Sequence, residues 1–271
     1  MTICIAAGCV AEDGSARVVV CTDMQVTYGG EKSDSLFKNK FLLDNWLLSF
    51  AGDIEEEHQA SVHIRRVMRE QRTEINESDI KALVMLALER RKREIREDLA
   101  IVRLGTSYKG LRRMARDGIA AAHVVLQEIA DWEEERKVGY ILSSIYGDMP
   151  HILEVLPGTP PSFQEQYAVV GASIDEAKDV LVRRGQSAAK SLGQTILALY
   201  EAKKAVEAVE RSVGPSTMIA VQQAGALQPL CLKPEFIEGE LENVRLFYQA
   251  KAGSFARVPS PPPEAYMEAD F

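Results

Sequence analysis

The chain has 271 residues, 46% of them hydrophobic and 27% charged, enough for one sizeable core in a single domain. Its 40 acidic and 32 basic residues leave a formal charge of −8, the wrong sign for a nucleic-acid binder. No run reaches the apolar length of a bilayer span, and the N-terminus lacks a basic start followed by an apolar stretch, so a cytoplasmic protein with no membrane partner is expected.

Thr2 to Val10 and Arg17 to Thr22 are apolar runs joined at Glu12-Asp13-Gly14, a hairpin signal. Leu36 to Leu43 and Trp46 to Ala51 read as two more strands, turning at Asp44-Asn45. The period then changes. Ala60, Ile64, Val67, Met68 and Gln71 share one helical face, and Asp53 with Glu56 forms a capping pair, so a helix starts after Gly52. A second begins near Ser78 and runs toward Arg103, with Ile80, Leu83, Val84, Ala87 and Leu88 at helical spacing. Acidic residues surround its basic stretch Arg90 to Arg93, which reads as a solvated face.

Ala121 to Ile129, Val138 to Ser144, His151 to Val155 and Tyr167 to Val170 have strand character, with turn clusters at Gly147-Asp148 and Pro157-Gly158. Helices follow over Ile174 to Arg184 and Leu192 to about Val209, then strands over Thr217 to Val221 and Leu227 to Leu232. Strands alternating with pairs of helices do not make a doubly wound parallel sheet. They fit an α+β fold, a four-layer αββα sandwich of two antiparallel sheets between helix pairs. Past Leu232 the periodicity fades, and Pro259, Pro261, Pro262 and Pro263 mark a tail outside the core. Residues 1–233 therefore read as the domain and 234–271 as a C-terminal extension, disordered in part or laid against a neighbouring subunit. Cys4, Cys9, Cys21 and Cys231 have no CxxC spacing, and the first three lie in apolar strands. Reduced, buried thiols are expected, with no metal and no cofactor.

Removal of an initiator Met before a small residue leaves Thr2 with both its hydroxyl and a free α-amine. Nucleophile and base then share one residue, because an α-amine has a pKa of about 7.7–8.0. Met-Thr starts are common, but the residues that follow add to this one. Thr2-Ile3 opens a strand, Asp23-Met24-Gln25-Val26-Thr27-Tyr28-Gly29 follows a second, Phe37-Lys38 lies in a third, and Ala51-Gly52 stands at a strand-to-helix junction. This set resembles the amino-terminal half of proteasome β subunits and of the related bacterial peptidase HslV, and the likeness in element order extends to about Leu232.

The resemblance implies an N-terminal-nucleophile hydrolase in which Thr2 is the nucleophile and Lys38 the neighbouring cation. Asp23 would fix Lys38, and the Gly52 N–H would hold the oxyanion, an effect worth about 2.7–4 kcal/mol. By the same likeness Thr27 would hold substrate main chain, and Val26, Leu36 and Phe50 would line an apolar pocket. Each also has a plain structural use. Lys40 is as eligible as Lys38, since it points to the same strand face; the apolar three also suit a sheet core.

Active relatives carry Gly-Ser-Gly before the third helix, where this chain has Gly171-Ala172-Ser173. Ala172 takes the serine's place, and Ser173 with Glu176 reads as a capping box for the following helix. A later Ser-Gly-Gly turn after an acidic residue is matched by Glu210-Arg211-Ser212-Val213-Gly214-Pro215, whose wording looks more like the ancestral β-subunit type. Ser173, Glu210 and Ser212 are the candidates for orienting the amine. The implied activity is threonine-type cleavage of peptide or unfolded-protein substrates by a stacked homo-oligomeric ring; nothing in the sequence identifies an unfoldase partner. A ring scaffold without peptidase activity and an amidohydrolase acting on a small amide remain open alternatives.

Overall fold

A short, unbroken apolar run bounded by turn residues is the mark of a strand covered on both faces. The first strand, β1 (Ile3–Val10), is of this kind, with Ile3 to Cys9 all buried. A turn with Gly14 at φ +82° leads into β2 (Ala16–Asp23). Three short strands follow, β3 (Val26–Tyr28), β4 (Glu31–Ser33) and β5 (Asn39–Phe41), then β6 (Leu47–Ala51). The helices α1 (Ile54–Glu70), α2 (Glu77–Leu104), α3 (Tyr108–Arg116) and α4 (Ala120–Glu135) come next. The chain returns to strands with β7 (Gly139–Tyr146), β8 (Met149–Val155), β9 (Ser162–Gln164) and β10 (Tyr167–Gly171). After α5 (Ile174–Arg183) and α6 (Leu192–Val209) come β11 (Thr217–Gln223) and β12 (Leu230–Leu232). The chain closes with α7 (Pro234–Phe236), a π-helical turn, α8 (Glu242–Ala250) and β13 (Tyr266–Glu268). This computed structural model describes residues 2–28, 31–33, 38–42, 45–71, 75, 77–135, 138–226, 228–250 and 258–268.

The α+β class with two antiparallel sheets is what the structure shows. One sheet has the order β10-β1-β2-β11-β12-β13 and the other β5-β6-β7-β8-β9, with β3 and β4 as a separate hairpin. Among the described residues the named strands all pair antiparallel, and an isolated bridge, Val10↔Ser191, is parallel. Side chains alternate across a strand, so β1 and β2 feed two cores. Cys4, Ala6, Val18 and Val20 face Leu47, Ile141 and Ile152 of the second sheet. Ile3, Ile5, Val19 and Cys21 pack toward Leu181, Ile196 and Leu199 of α5 and α6. Each such Ile, Leu or Val taken out of water stabilises the fold by about 1.5–3 kcal/mol.

The chain divides into two compact units, Met1–Ala51 with Gly139–Phe271, and Gly52–Val138. Both sheets, α5 and α6 belong to the first. The second holds α1 to α4. Asp53 caps α1 by accepting the Glu56 N–H at 2.8 Å. Arg91 of α2 pairs with Glu56 of α1 at 3.1 Å, and Arg96 with Glu133 of α4 at 2.7 Å.

Three expectations are corrected here. Ala121 to Ile129 is helical rather than a strand, so four helices, not two, separate β6 from β7. Ala122, Val125 and Ile129 are buried at helical spacing, whereas Val124 is 61% exposed. The proline-rich tail also joins the core: Val258 and Ala265 are buried, and β13 pairs with β12 through Leu230↔Glu268, Cys231↔Met267 and Leu232↔Tyr266. A Cβ on Gly193 would lie 2.4 Å from the Pro259 carbonyl oxygen, so the tail crosses α6 where α6 has no side chain. Finally, Ser173 stands at the start of α5 in the left-handed region, φ 44° and ψ 49°, and its side chain makes no capping hydrogen bond. A capping residue has extended backbone, which Ser173 does not adopt.

Candidate active site

Thr2 lies immediately before β1, and Asp23 is the last residue of the neighbouring β2. Pairing of Cys4 with Thr22 sets the register that brings the two ends together. The Thr2 hydroxyl donates to Asp23 Oδ1 and accepts a hydrogen bond from Lys38 Nζ. Lys38 Nζ is itself 2.9 Å from Asp23 Oδ1, which also accepts the Ile3 N–H at 3.0 Å. The other carboxylate oxygen accepts the Gly214 N–H at 3.3 Å. Thr2, Asp23 and Lys38 are 5%, 0% and 2% exposed. A buried charge is tolerated only when paired and hydrogen-bonded, and here carboxylate and ammonium satisfy each other around one hydroxyl.

The structure separates Lys38 from Lys40. Lys38 enters the cluster from the start of β5, while Lys40 Nζ lies 5.8 Å from the Phe50 ring centroid. The Phe50 N–H donates to the Lys38 carbonyl at 3.2 Å, tying β6 to the lysine's backbone. Phe50 itself is 1% exposed in β6, with its carbonyl accepting the Cys4 thiol at 2.7 Å. Cys4 is no rival nucleophile, because burial pushes its thiol well above the ordinary value despite the opposing charge of Lys38.

Gly171 pairs with Ile3 across the sheet and has φ +114°. A Cβ there would lie 2.1 Å from the Thr2 carbonyl oxygen and 2.8 Å from Ala51 Cβ, so glycine is required by both conformation and space. The next N–H, of Ala172, donates to the Thr2 carbonyl at 2.8 Å. Ala172 is buried, and Ser173 is exposed.

Glu210 and Ser212 engage one another: the Ser212 hydroxyl and N–H donate to Glu210 Oε1 at 2.6 and 3.1 Å. These bonds hold the Glu210 carboxyl below the usual range. Gly52 begins the second unit at φ +141°, directly after Ala51. Val26 and Thr27 lie in β3, paired with Ser33 and Lys32; their side chains and the whole of Leu36 lie outside the described residues. Sequence reasoning had not singled out Gly171 as a spacer or Gly214 as a donor to Asp23. Both lie in the motif segments quoted from the sequence, Gly171-Ala172-Ser173 and Glu210 to Pro215, but nothing in those segments marks either role. Among the described residues, no three His, Cys, Asp or Glu side chains cluster as metal ligands, and no helix is long and apolar enough to cross a membrane.

No protein-family model matches the chain, and no curated protein matches it in sequence. Solved structures do match it in fold. The "Helical Assembly of the Anbu Complex" from Pseudomonas aeruginosa superimposes with a TM-score of 0.62 at 15% identity, over 97% of this chain and 99% of that one. Anbu (ancestral beta-subunit) from Yersinia bercovieri gives 0.59 at 14% identity, over 97% and 100% of the two chains. An Anbu (Gly-1) mutant from Hyphomicrobium sp. strain MC1 gives 0.58 at 12% identity, again over 97% and 100%. This chain therefore has the fold of the ancestral proteasome β-subunit-like proteins along nearly its whole length.

Proposed function

We propose that the chain is a threonine-type peptide-bond hydrolase of the proteasome β-subunit kind, with Thr2 as its N-terminal nucleophile once Met1 is removed. The observation that carries this reading is the buried Thr2 hydroxyl, held between the Asp23 carboxylate and the Lys38 ammonium. The hydroxyl oxygen attacks the substrate carbonyl carbon, and its proton passes to the α-amine directly or through water. The Lys38 charge lowers the barrier to forming the alkoxide, and Asp23 keeps Lys38 in place. The Gly52 N–H is assigned to the oxyanion. Collapse of the tetrahedral intermediate expels the amine product, which takes its proton from the α-ammonium, and water, giving a proton to the freed amine, then cleaves the ester and restores the Thr2 hydroxyl.

The same reading makes the chain a homo-oligomer, in keeping with the assembly named for the Pseudomonas protein. Phe50, with Val26 and Leu36, is assigned to an apolar specificity pocket, and Thr27 to the substrate main chain. One observation favours a second reading, a scaffold without peptidase activity: Ala172 offers no hydroxyl where active relatives carry serine.

Intact-mass measurement of the purified chain, followed by treatment with a β-lactone or epoxyketone probe, tests the proposal. Loss of Met1 and a single adduct on Thr2, absent from Thr2→Ala, are expected. Retention of Met1, or a processed chain that takes no probe, overturns it. Fluorogenic peptides compared with small amides then separate a peptidase from an amidohydrolase.

A further inference from the structure

Lys203 lies on α6 and is completely buried. Its stripe is apolar: Ile196, Leu199 and Val206, at the helical spacings around it, are all in the core. An ammonium group there needs partners, and it has three. Nζ donates to the Gly214 carbonyl at 2.6 Å, to the Pro215 carbonyl at 2.8 Å and to Glu207 Oε2 at 2.6 Å. Those bonds match the three donors of a charged lysine. Lys204 also donates to Glu207, at 2.9 and 3.0 Å, so that carboxylate is shared between two cations. The Cys21 thiol on β2 is the other titratable group near Lys203. Burial pulls the lysine's pKa down and Glu207 pulls it back up.

The two carbonyls belong to the turn between α6 and β11, and the N–H of the same Gly214 donates to Asp23 Oδ2 at 3.3 Å. The turn is also fastened to the chain beyond Asp23, where the Met24 N–H donates to the Ser216 carbonyl at 3.2 Å. Gly214 is thus gripped from both sides, its carbonyl by Lys203 and its N–H by Asp23. Without a donor at Nζ the Pro215 carbonyl, on an exposed residue, would keep the Thr217 hydroxyl at 3.4 Å, but the carbonyl of buried Gly214 would lose its lysine donor, and Gly214 would have to move to replace it.

We infer that Lys203 is a positioning residue for the nucleophile: it locks the Gly214-Pro215 turn so that the Gly214 N–H holds the outer oxygen of Asp23, and through Asp23 both Lys38 and the Thr2 hydroxyl. This rests on the assignment of Thr2 as nucleophile for its catalytic consequence, but not for its structural one. A lysine that only filled space would leave Asp23 indifferent to its removal.

The experiment compares the full chain with Lys203→Met and with the milder Lys203→Gln, which keeps a shorter donor. Two readouts are taken: the Gly214 amide resonance in a labelled sample, and the pH profile of probe labelling at Thr2. In Lys203→Met the Gly214 amide is expected to shift upfield and to exchange at least tenfold faster. Labelling is expected to slow at least tenfold, by a factor that changes along its pH profile, because the groups around the Thr2 hydroxyl are no longer held in their parental geometry. Lys203→Gln should fall between. A folded Lys203→Met with an unchanged Gly214 amide overturns the inference, as does a labelling loss that is uniform across pH. Failure of both variants to fold overturns it too, by assigning Lys203 to stability alone. If the parent chain takes no probe, the nucleophile reading fails, and the amide resonance still decides the role of Lys203.

Discussion

Lys38 Nζ stands 2.9 Å from Asp23 Oδ1 with both side chains sealed from solvent, while Lys40, two residues on in β5, sits beside the ring of Phe50. Two lysines equivalent by strand parity have therefore been given different environments, and substitution should tell them apart.

Lys38→Met leaves the Asp23 carboxylate buried without its cation, a change that destabilises by about 3–5 kcal/mol. Probe labelling of Thr2 should fall at least a hundredfold, beyond the loss of folded protein. Lys40→Met removes a ring contact worth about 0.5–1 kcal/mol and should keep labelling within about threefold. Thermal melts and labelling rates on the same samples check both.

Gly171→Ala puts a methyl group where the Thr2 carbonyl oxygen and Ala51 already are. The left-handed backbone alone costs about 1–3 kcal/mol, and the clash forces Thr2 away from Ala172. A lowered melting temperature together with lost labelling is expected; labelling at the parental rate would show that Thr2 is not held by this contact.

Ala172→Ser restores a hydroxyl where active relatives have one. Faster labelling near neutral pH, by threefold or more, is expected of a peptidase with an under-supported amine. An unchanged zero rate in both chains favours the scaffold reading.

Much of the site was legible because it follows from strand ends. The ends that carry Asp23 and Thr2 come together once β1 and β2 pair, and unbroken apolar runs announce both strands. The choice between Lys38 and Lys40 was not legible, since strand parity puts both on one face and only tertiary packing divides them. The α4 segment misled because Val124, Val125 and Leu126 are locally as strand-like as helical, and burial every third or fourth residue emerges only against α2 and α3. Lys203 was hidden for the opposite reason. A Lys-Lys pair followed by Glu207 at i+4 is how an exposed helix face reads, and only its place in the Ile196, Leu199 and Val206 stripe marks it as interior.

Alkaline stability should be poor. Burial raises the thiols of Cys9, Cys21 and Cys231 to about 12 from an ordinary value near 9. Between those values the unfolded chain has released these protons and the folded chain has not, so stability is complete below pH 9 and lost as pH rises toward 12. Each thiol contributes a slope of about 1.4 kcal/mol per pH unit in that window. Melting temperatures from pH 8 to 10.5 should fall steeply, and less steeply in Cys231→Ala.

Gly193→Ala should dislodge the tail from α6, because its Cβ would meet the Pro259 and Val258 carbonyl oxygens at 2.4 and 2.6 Å. Limited proteolysis should then clip the chain near residue 258 much sooner, with the remaining product intact by mass. Equal clipping rates would show that the tail is held by β13 alone.

The backbone of Thr2 is tied down on its downstream side: its carbonyl is held by the Ala172 N–H, and the peptide N–H that follows, of Ile3, is held by Asp23. Both bonds lie downstream of the Thr2 nitrogen, so on the proposed reading they are the ones that keep Thr2 in place when the residue before it is trimmed. Maturation of such a centre is a change of chemistry at fixed geometry. If Thr2 is the nucleophile as proposed, the untrimmed protein is cocked but uncharged, and a single aminopeptidase event sets when it first fires.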